Sequence, residues 1–112
     1  MDGRQIALRN NLADFLATSP WREGLTQDQF DRVCRDALAY TFAAGATVCH
    51  RESPAVHWLA VVDGLVKVDT ISEDGMATTF AGVPGGAWFG EGAVLKGEPR
   101  PYAVVAIRES TV

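Results

Sequence analysis

The sequence predicts a mainly β domain, a sandwich or roll, preceded by two helices. Three observations carry this. After Tyr40 the chain breaks into short β-rich segments separated by Gly, Pro and Asp turns. Many short strands at regular spacing argue for a sandwich or roll over a helical bundle. Before Tyr40 the apolar residues recur at helical spacing instead.

In chain order, Leu8, Leu12, Phe15 and Leu16 fall on one face and predict a helix from about Arg4 to Ala17. Ser19-Pro20 ends it, because the residue before proline avoids helical angles. Trp21 and Leu25 are expected to pack inward. Thr26 opens a second helix, with Gln29 three residues on completing a capping box. Phe30, Val33, Cys34, Ala37 and Leu38 form its apolar stripe, and Asp28, Asp31, Arg32, Arg35 and Asp36 its wet face. Candidate strands are Tyr40–Phe42, Thr47–Cys49, Trp58–Val62, Leu65–Ile71, Thr78–Val83, Trp88–Phe89 and Tyr102–Ala106. Asp63-Gly64 is expected to turn a hairpin, since glycine accepts the positive φ of a tight turn. Glu73-Asp74-Gly75 makes a second turn.

The totals bound the answer. At 112 residues, 47% hydrophobic and 21% charged, the chain has the size and balance of one ordinary globular domain. Its net charge of −4 gives no basic footprint for nucleic acid. No apolar run has the length of a membrane span, and the start lacks a signal-peptide core. A cytoplasmic home without membrane contact is expected. Cys34 and Cys49 are too far apart for a C-x-x-C motif, and two thiols cannot supply the ligands of an iron–sulfur cluster. They are expected to be reduced, small apolar residues.

The chemistry concentrates in Trp88 to Ala106. Gly90 and Gly92 let backbone amides approach a ligand. Ala93, Val94 and Leu95 can form one helical turn beginning at Glu91. Such a terminus has unpaired N–H groups that favour an anion. Glu91 is acceptor-only and suits a ribose hydroxyl. Arg100 is a fork of donors that suits a phosphate. The structural alternatives are a helix-capping carboxylate for Glu91 and a surface ion pair with Glu91 or Glu98 for Arg100.

This stretch resembles the phosphate-binding cassette of cyclic nucleotide-binding domains. Phe89-Gly90-Glu91, Ala93 and Pro99-Arg100 match it in type and spacing without a gap. Phe42-Ala43-Ala44-Gly45-Ala46-Thr47-Val48 resembles the family's R-F-x-x-G-E-x-V opening. Val61-Val62-Asp63-Gly64-Leu65-Val66-Lys67-Val68 resembles its V-x-x-G-x-V-K-V segment. The acidic turn at Ser72-Glu73-Asp74-Gly75 and the run Pro84-Gly85-Gly86-Ala87 follow in the family order, so the resemblance covers roughly residues 12 to 112.

The resemblance is to the Crp/Fnr type of bacterial transcription regulator. It implies an antiparallel β roll (a double-stranded β-helix) with an N-terminal helical segment at 1–39 and a sensory roll at 40–112. It also implies that the chain stops where the family begins its last roll strand, with no helix-turn-helix. The pocket would be formed by Phe89, Gly90, Glu91, Gly92, Ala93, Arg100, Pro101 and Tyr102. The implied function is sensing, with no catalysis, no metal and no required cofactor, of an anionic effector such as cyclic AMP. The parent protein would be a homodimer that touches DNA only through a C-terminal domain outside this chain.

The chain departs from the pattern at three positions. The family has two small residues after the arginine, the first giving an N–H to the phosphate. Pro101 has no N–H, and Tyr102 is bulky. Gly92 replaces an apolar residue. A pocket that has lost its ligand is therefore an alternative, leaving a structural interaction domain. A cupin-like metalloenzyme using His50 and His57 is the other, although their spacing of seven is not an H-x-H pair. Asp14, Ser19 and Ser110 form no nucleophile, base and orienter set.

Overall fold

The structure, a computed structural model, describes residues 3–6, 10–71 and 77–112. The chain divides into two compact units. One takes in Gln5–Ala39, and the other Tyr40–Val112 with the stretch before Gln5.

The chain opens with a short strand, β1 (Arg4–Ile6), and the Gln5–Ala39 unit continues with α1 (Asn10–Ala17). The helix expected from Arg4 is thus shorter, and its first residues are extended. Leu12 and Leu16, one turn apart, are buried as their spacing requires. At the C-terminus the Thr18 hydroxyl donates to the Asp14 carbonyl and that of Ser19 to Phe15, each at 2.9 Å. The Ser19 bond satisfies the Phe15 carbonyl, which the Ser19 amide leaves open by turning to Leu16. A 3-10 turn (Arg22–Gly24) leads to α2 (Gln27–Asp36).

The capping box of α2 is present in both directions. The Gln29 amide donates to the Thr26 hydroxyl at 3.2 Å, and the Thr26 amide donates to the Gln29 side chain at 2.9 Å. Phe30 is buried, with the Arg22 guanidinium 4.3 Å above its ring and Trp21 tilted against it. Leu38, expected on the apolar stripe, lies beyond the helix end and is exposed.

Among its described residues, the second unit's regular structure is strand apart from one short helix. It contains β2 (Ala39–Phe42), β3 (Thr47–Cys49), β4 (Leu59–Ala60), β5 (Leu65–Ile71), β6 (Ala77–Pro84) and β7 (Trp88–Phe89). After α3 (Glu91–Lys96) come β8 (Ala103–Ala106) and β9 (Ser110–Thr111). One antiparallel sheet has the order β3-β8-β5-β6, a two-stranded ribbon pairs β4 with β7, and β2 pairs with β9. This is the antiparallel roll expected. The turn at Glu73-Asp74-Gly75 lies outside the described residues.

Alternation along the strands sets the core. Val104 and Ala106 of β8 and Val66 and Val68 of β5 point inward to meet Phe42, Val48, Val61 and Val83. Two sequence expectations change here. Asp63-Gly64 is not a hairpin turn, because β4 pairs with β7 while β5 pairs with β6 and β8. It is the step where the chain crosses from one sheet to the other. Thr111 pins this crossing: its amide donates to the Asp63 carbonyl and its carbonyl accepts from Val62, both at 2.8 Å. In addition, the chain past Ile107 does not stop short of pairing. Thr41 is opposite Thr111 and Phe42 opposite Ser110 in the β2–β9 pair.

Candidate functional site

Phe89 is held by the Leu59↔Phe89 register of the β4–β7 ribbon and packs against the core. The next residue, Gly90, is left-handed at φ 84° and forms the N-cap of α3. A residue with a Cβ is strained in that conformation. The helix begins at Glu91, as its sequence suggests, and ends at Gly97, a second left-handed glycine whose amide closes onto the last turn. Glu91 projects into solvent, Gly92 lies within the helix and Ala93 is half-buried.

Arg100 differs from the surface ion pair considered from sequence. It is only 3% exposed, and among the described residues no carboxylate pairs with it. Its position is fixed from three sides. The Arg100 amide donates to the Ser53 carbonyl at 2.9 Å, and its carbonyl accepts from the Glu52 amide at 2.8 Å. Its Nη2 donates to the His57 carbonyl at 2.9 Å. Nη1 is buried and has no hydrogen-bond partner. A buried charged donor left open is costly, so an acceptor is expected to come from elsewhere.

Nη1 faces Gly90. A Cβ built on Gly90 would sit 3.0 Å from Nη1, 3.2 Å from the Tyr102 hydroxyl and 3.9 Å from Leu59 Cδ1. A side chain at this position would therefore press on the tips of Arg100 and Tyr102. Tyr102 is half-buried with its side chain against the core, and Pro101 is exposed. The structure thus brings Gly90, Arg100 and Tyr102 together, while Glu91 and Pro101 beside them are exposed. Leu59 and the His57 carbonyl belong to the same surroundings. The sequence carries no signal for a backbone carbonyl, and Leu59 was legible only as strand.

Cys49 is buried, and burial pushes its thiol up from the ordinary value of 9.0, with the Arg100 charge pulling partly back. His50 and His57 follow β3 and precede β4, and both are exposed. Among the described residues no three His, Cys, Asp or Glu side chains cluster as metal ligands. Among them, too, no helix is long and apolar enough to cross a membrane.

The buried arginine and the short helix that Gly90 opens both belong to an antiparallel roll. Residues 40–112, more than half of the chain, match the cyclic nucleotide-binding domain family, and the chain belongs to it. Solved structures agree on the fold. A candidate cyclic nucleotide binding protein from Ruegeria pomeroyi superposes with a TM-score of 0.82 at 22% identity, over 95% of this chain and 46% of that one. The N-terminal domain of a transcriptional regulator from Streptomyces coelicolor gives 0.73 at 26% identity, over 88% and 70%. The regulatory domain of Toxoplasma gondii PKA, crystallised with cAMP, gives 0.78 at 19% identity, over 88% and 38%. The chain spans about half the length of the Ruegeria protein. No curated protein matches it.

Proposed function

We propose that this chain is the ligand-sensing domain of a Crp/Fnr-type transcription regulator and takes an anionic effector of the cyclic nucleotide class. The observation that carries the reading is Arg100 Nη1, a buried cationic donor without a partner, facing a glycine. A cyclic phosphate supplies the anionic oxygen that this donor lacks. In this reading Arg100 holds the phosphate and Glu91, at the start of α3, accepts from a ribose hydroxyl. Similarity to the Streptomyces regulator domain supports a place in transcription control. The domain then acts by binding, without catalysis, in the cytoplasm. Ligand occupancy shifts the population of conformations around α3, and a homodimeric parent relays this to a separate DNA-binding domain.

Calorimetry with cyclic AMP and cyclic GMP, alongside a thermal-shift panel, tests this, because a ligand bound to the folded state raises its melting temperature. Saturable binding that weakens about ten- to a hundredfold in Arg100→Ala is the expected result. Absence of binding by either nucleotide would favour the pocket that has lost its ligand.

A further inference from the structure

We infer that the Tyr102 hydroxyl is a ligand-binding donor that replaces the amide missing at Pro101, an inference that rests on the cyclic nucleotide reading above. At the residue after the arginine this chain has no N–H to offer. Arg100 Nη1 is the open end of the guanidinium, since Nη2 already donates to the His57 carbonyl. The Tyr102 hydroxyl lies beside it, and both donors are within 3.2 Å of the point that a Gly90 Cβ would occupy. The Tyr102 side chain packs on the core, which holds its hydroxyl in place without further ordering. Among the described residues that hydroxyl has no hydrogen-bond partner, so it is open to an acceptor. A phenol O–H donates or accepts, so it can serve an anionic oxygen. A cyclic phosphodiester has two exocyclic oxygens, and a guanidinium N–H and a phenol O–H converging over a glycine are suited to them. The bulk of Tyr102, which from sequence alone suggests obstruction, is then the means of delivering a donor.

The test is calorimetry of the folded chain with cyclic AMP, cyclic GMP and inorganic phosphate as separate probes. Tyr102→Phe keeps the ring and removes only the hydroxyl. It should weaken nucleotide binding about tenfold, the effect of one hydrogen bond to a charged group, while leaving the melting temperature of the ligand-free protein unchanged. Adding Pro101→Ala to Tyr102→Phe returns an N–H to the site and should restore most of the loss. Wild-type affinity in Tyr102→Phe would overturn the inference and leave the cyclic nucleotide reading standing. Tighter binding by Tyr102→Ala than by wild type would also overturn it, because the residue would then be an obstruction. If neither nucleotide binds but phosphate stabilises wild type and not Tyr102→Phe, the donor role stands and the cyclic nucleotide reading falls. No effect of any probe on wild type sinks both.

Discussion

Arg100 Nη2 donates to the main-chain carbonyl of His57 at 2.9 Å, across 43 residues of sequence. This bond fixes the guanidinium plane and so determines where the unpartnered Nη1 points. It also ties the segment after β3 to the residue that faces the proposed ligand. Trp58 follows His57 directly, is 43% exposed and packs against Trp88, the rings tilted by 46° with centroids 4.6 Å apart. Arg100→Ala removes both the anion donor and this tie. Cyclic nucleotide binding should weaken by about ten- to a hundredfold, the range for losing a charged hydrogen bond. Tryptophan emission should shift as the His57–Trp58 backbone loosens. Nucleotide affinity unchanged in this variant would locate the ligand elsewhere.

Gly90→Ala addresses the same space from the other side. The residue sits at φ 84°, and a Cβ would come within 3.0 Å of Arg100 Nη1. The strained conformation alone should cost about 1–3 kcal/mol. Ligand binding should weaken as well, since the new methyl group would press on the Arg100 guanidinium and the Tyr102 hydroxyl. Urea denaturation gives the first quantity and calorimetry the second. A variant as stable as wild type would mean that the backbone can leave the left-handed region at no cost.

Much of this was legible in the sequence, and the gaps have physical causes. The capping box at Thr26 and Gln29 could be read because it is local: two side chains and two amides within one turn. Strands Thr47–Cys49, Leu65–Ile71 and Trp88–Phe89 fall where alternation and turn residues put them. Asp63-Gly64 was misread because its local chemistry is that of a hairpin. Whether the flanking strands pair with each other is decided by distant residues, here Phe89, Trp88 and Thr111. The apolar period of Leu8 to Leu16 does not reach back over Arg4–Ile6, and these residues are extended. In the site, residue types located Arg100 and Gly90. Burial of the arginine depends on the segment around Ser53 and His57, which no spacing rule connects to it.

Gly64 and Ser110 make a second close fit, away from the site. Gly64 has φ 113°, and a Cβ there would lie 2.6 Å from Ser110 Cα. The Ser110 hydroxyl, on a residue only 2% exposed, accepts from the Leu65 amide at 3.1 Å and donates to the Arg108 carbonyl at 2.8 Å. This one hydroxyl satisfies an amide just after the sheet crossing and a carbonyl in the β8–β9 connection. Ser110→Ala should therefore cost about 1–3 kcal/mol by stranding a buried amide. Gly64→Ala should be at least as damaging, because it adds overpacking to an unfavourable φ. Equilibrium unfolding of the two variants checks both. A Ser110→Ala loss well below 1 kcal/mol would show that water reaches the Leu65 amide in its place.

Cys49 offers a prediction in pH. Its thiol is buried among Phe42, Val48 and Val104, and burial holds it above the ordinary value of 9.0 despite the pull of Arg100. Removing a charge-bearing form from water disfavours that form, so the folded state keeps the proton that the unfolded chain gives up first. A group with a raised folded pKa contributes its full stability below the unfolded pKa and loses it as pH rises through the folded one. Stability of the wild-type protein should therefore fall above about pH 9 more steeply than that of Cys49→Ala, although the variant starts lower because of the space it leaves. Comparing the two slopes by denaturation at several pH values cancels the contribution of other titrating groups. The same burial predicts reactivity. Cys34, half-buried on α2, should be alkylated by iodoacetamide well before Cys49, and the two rates should converge in denaturant. Equal rates in the folded protein, or parallel pH slopes for wild type and Cys49→Ala, would mean that the thiol is open to solvent and the core around Val48 is looser than its packing indicates.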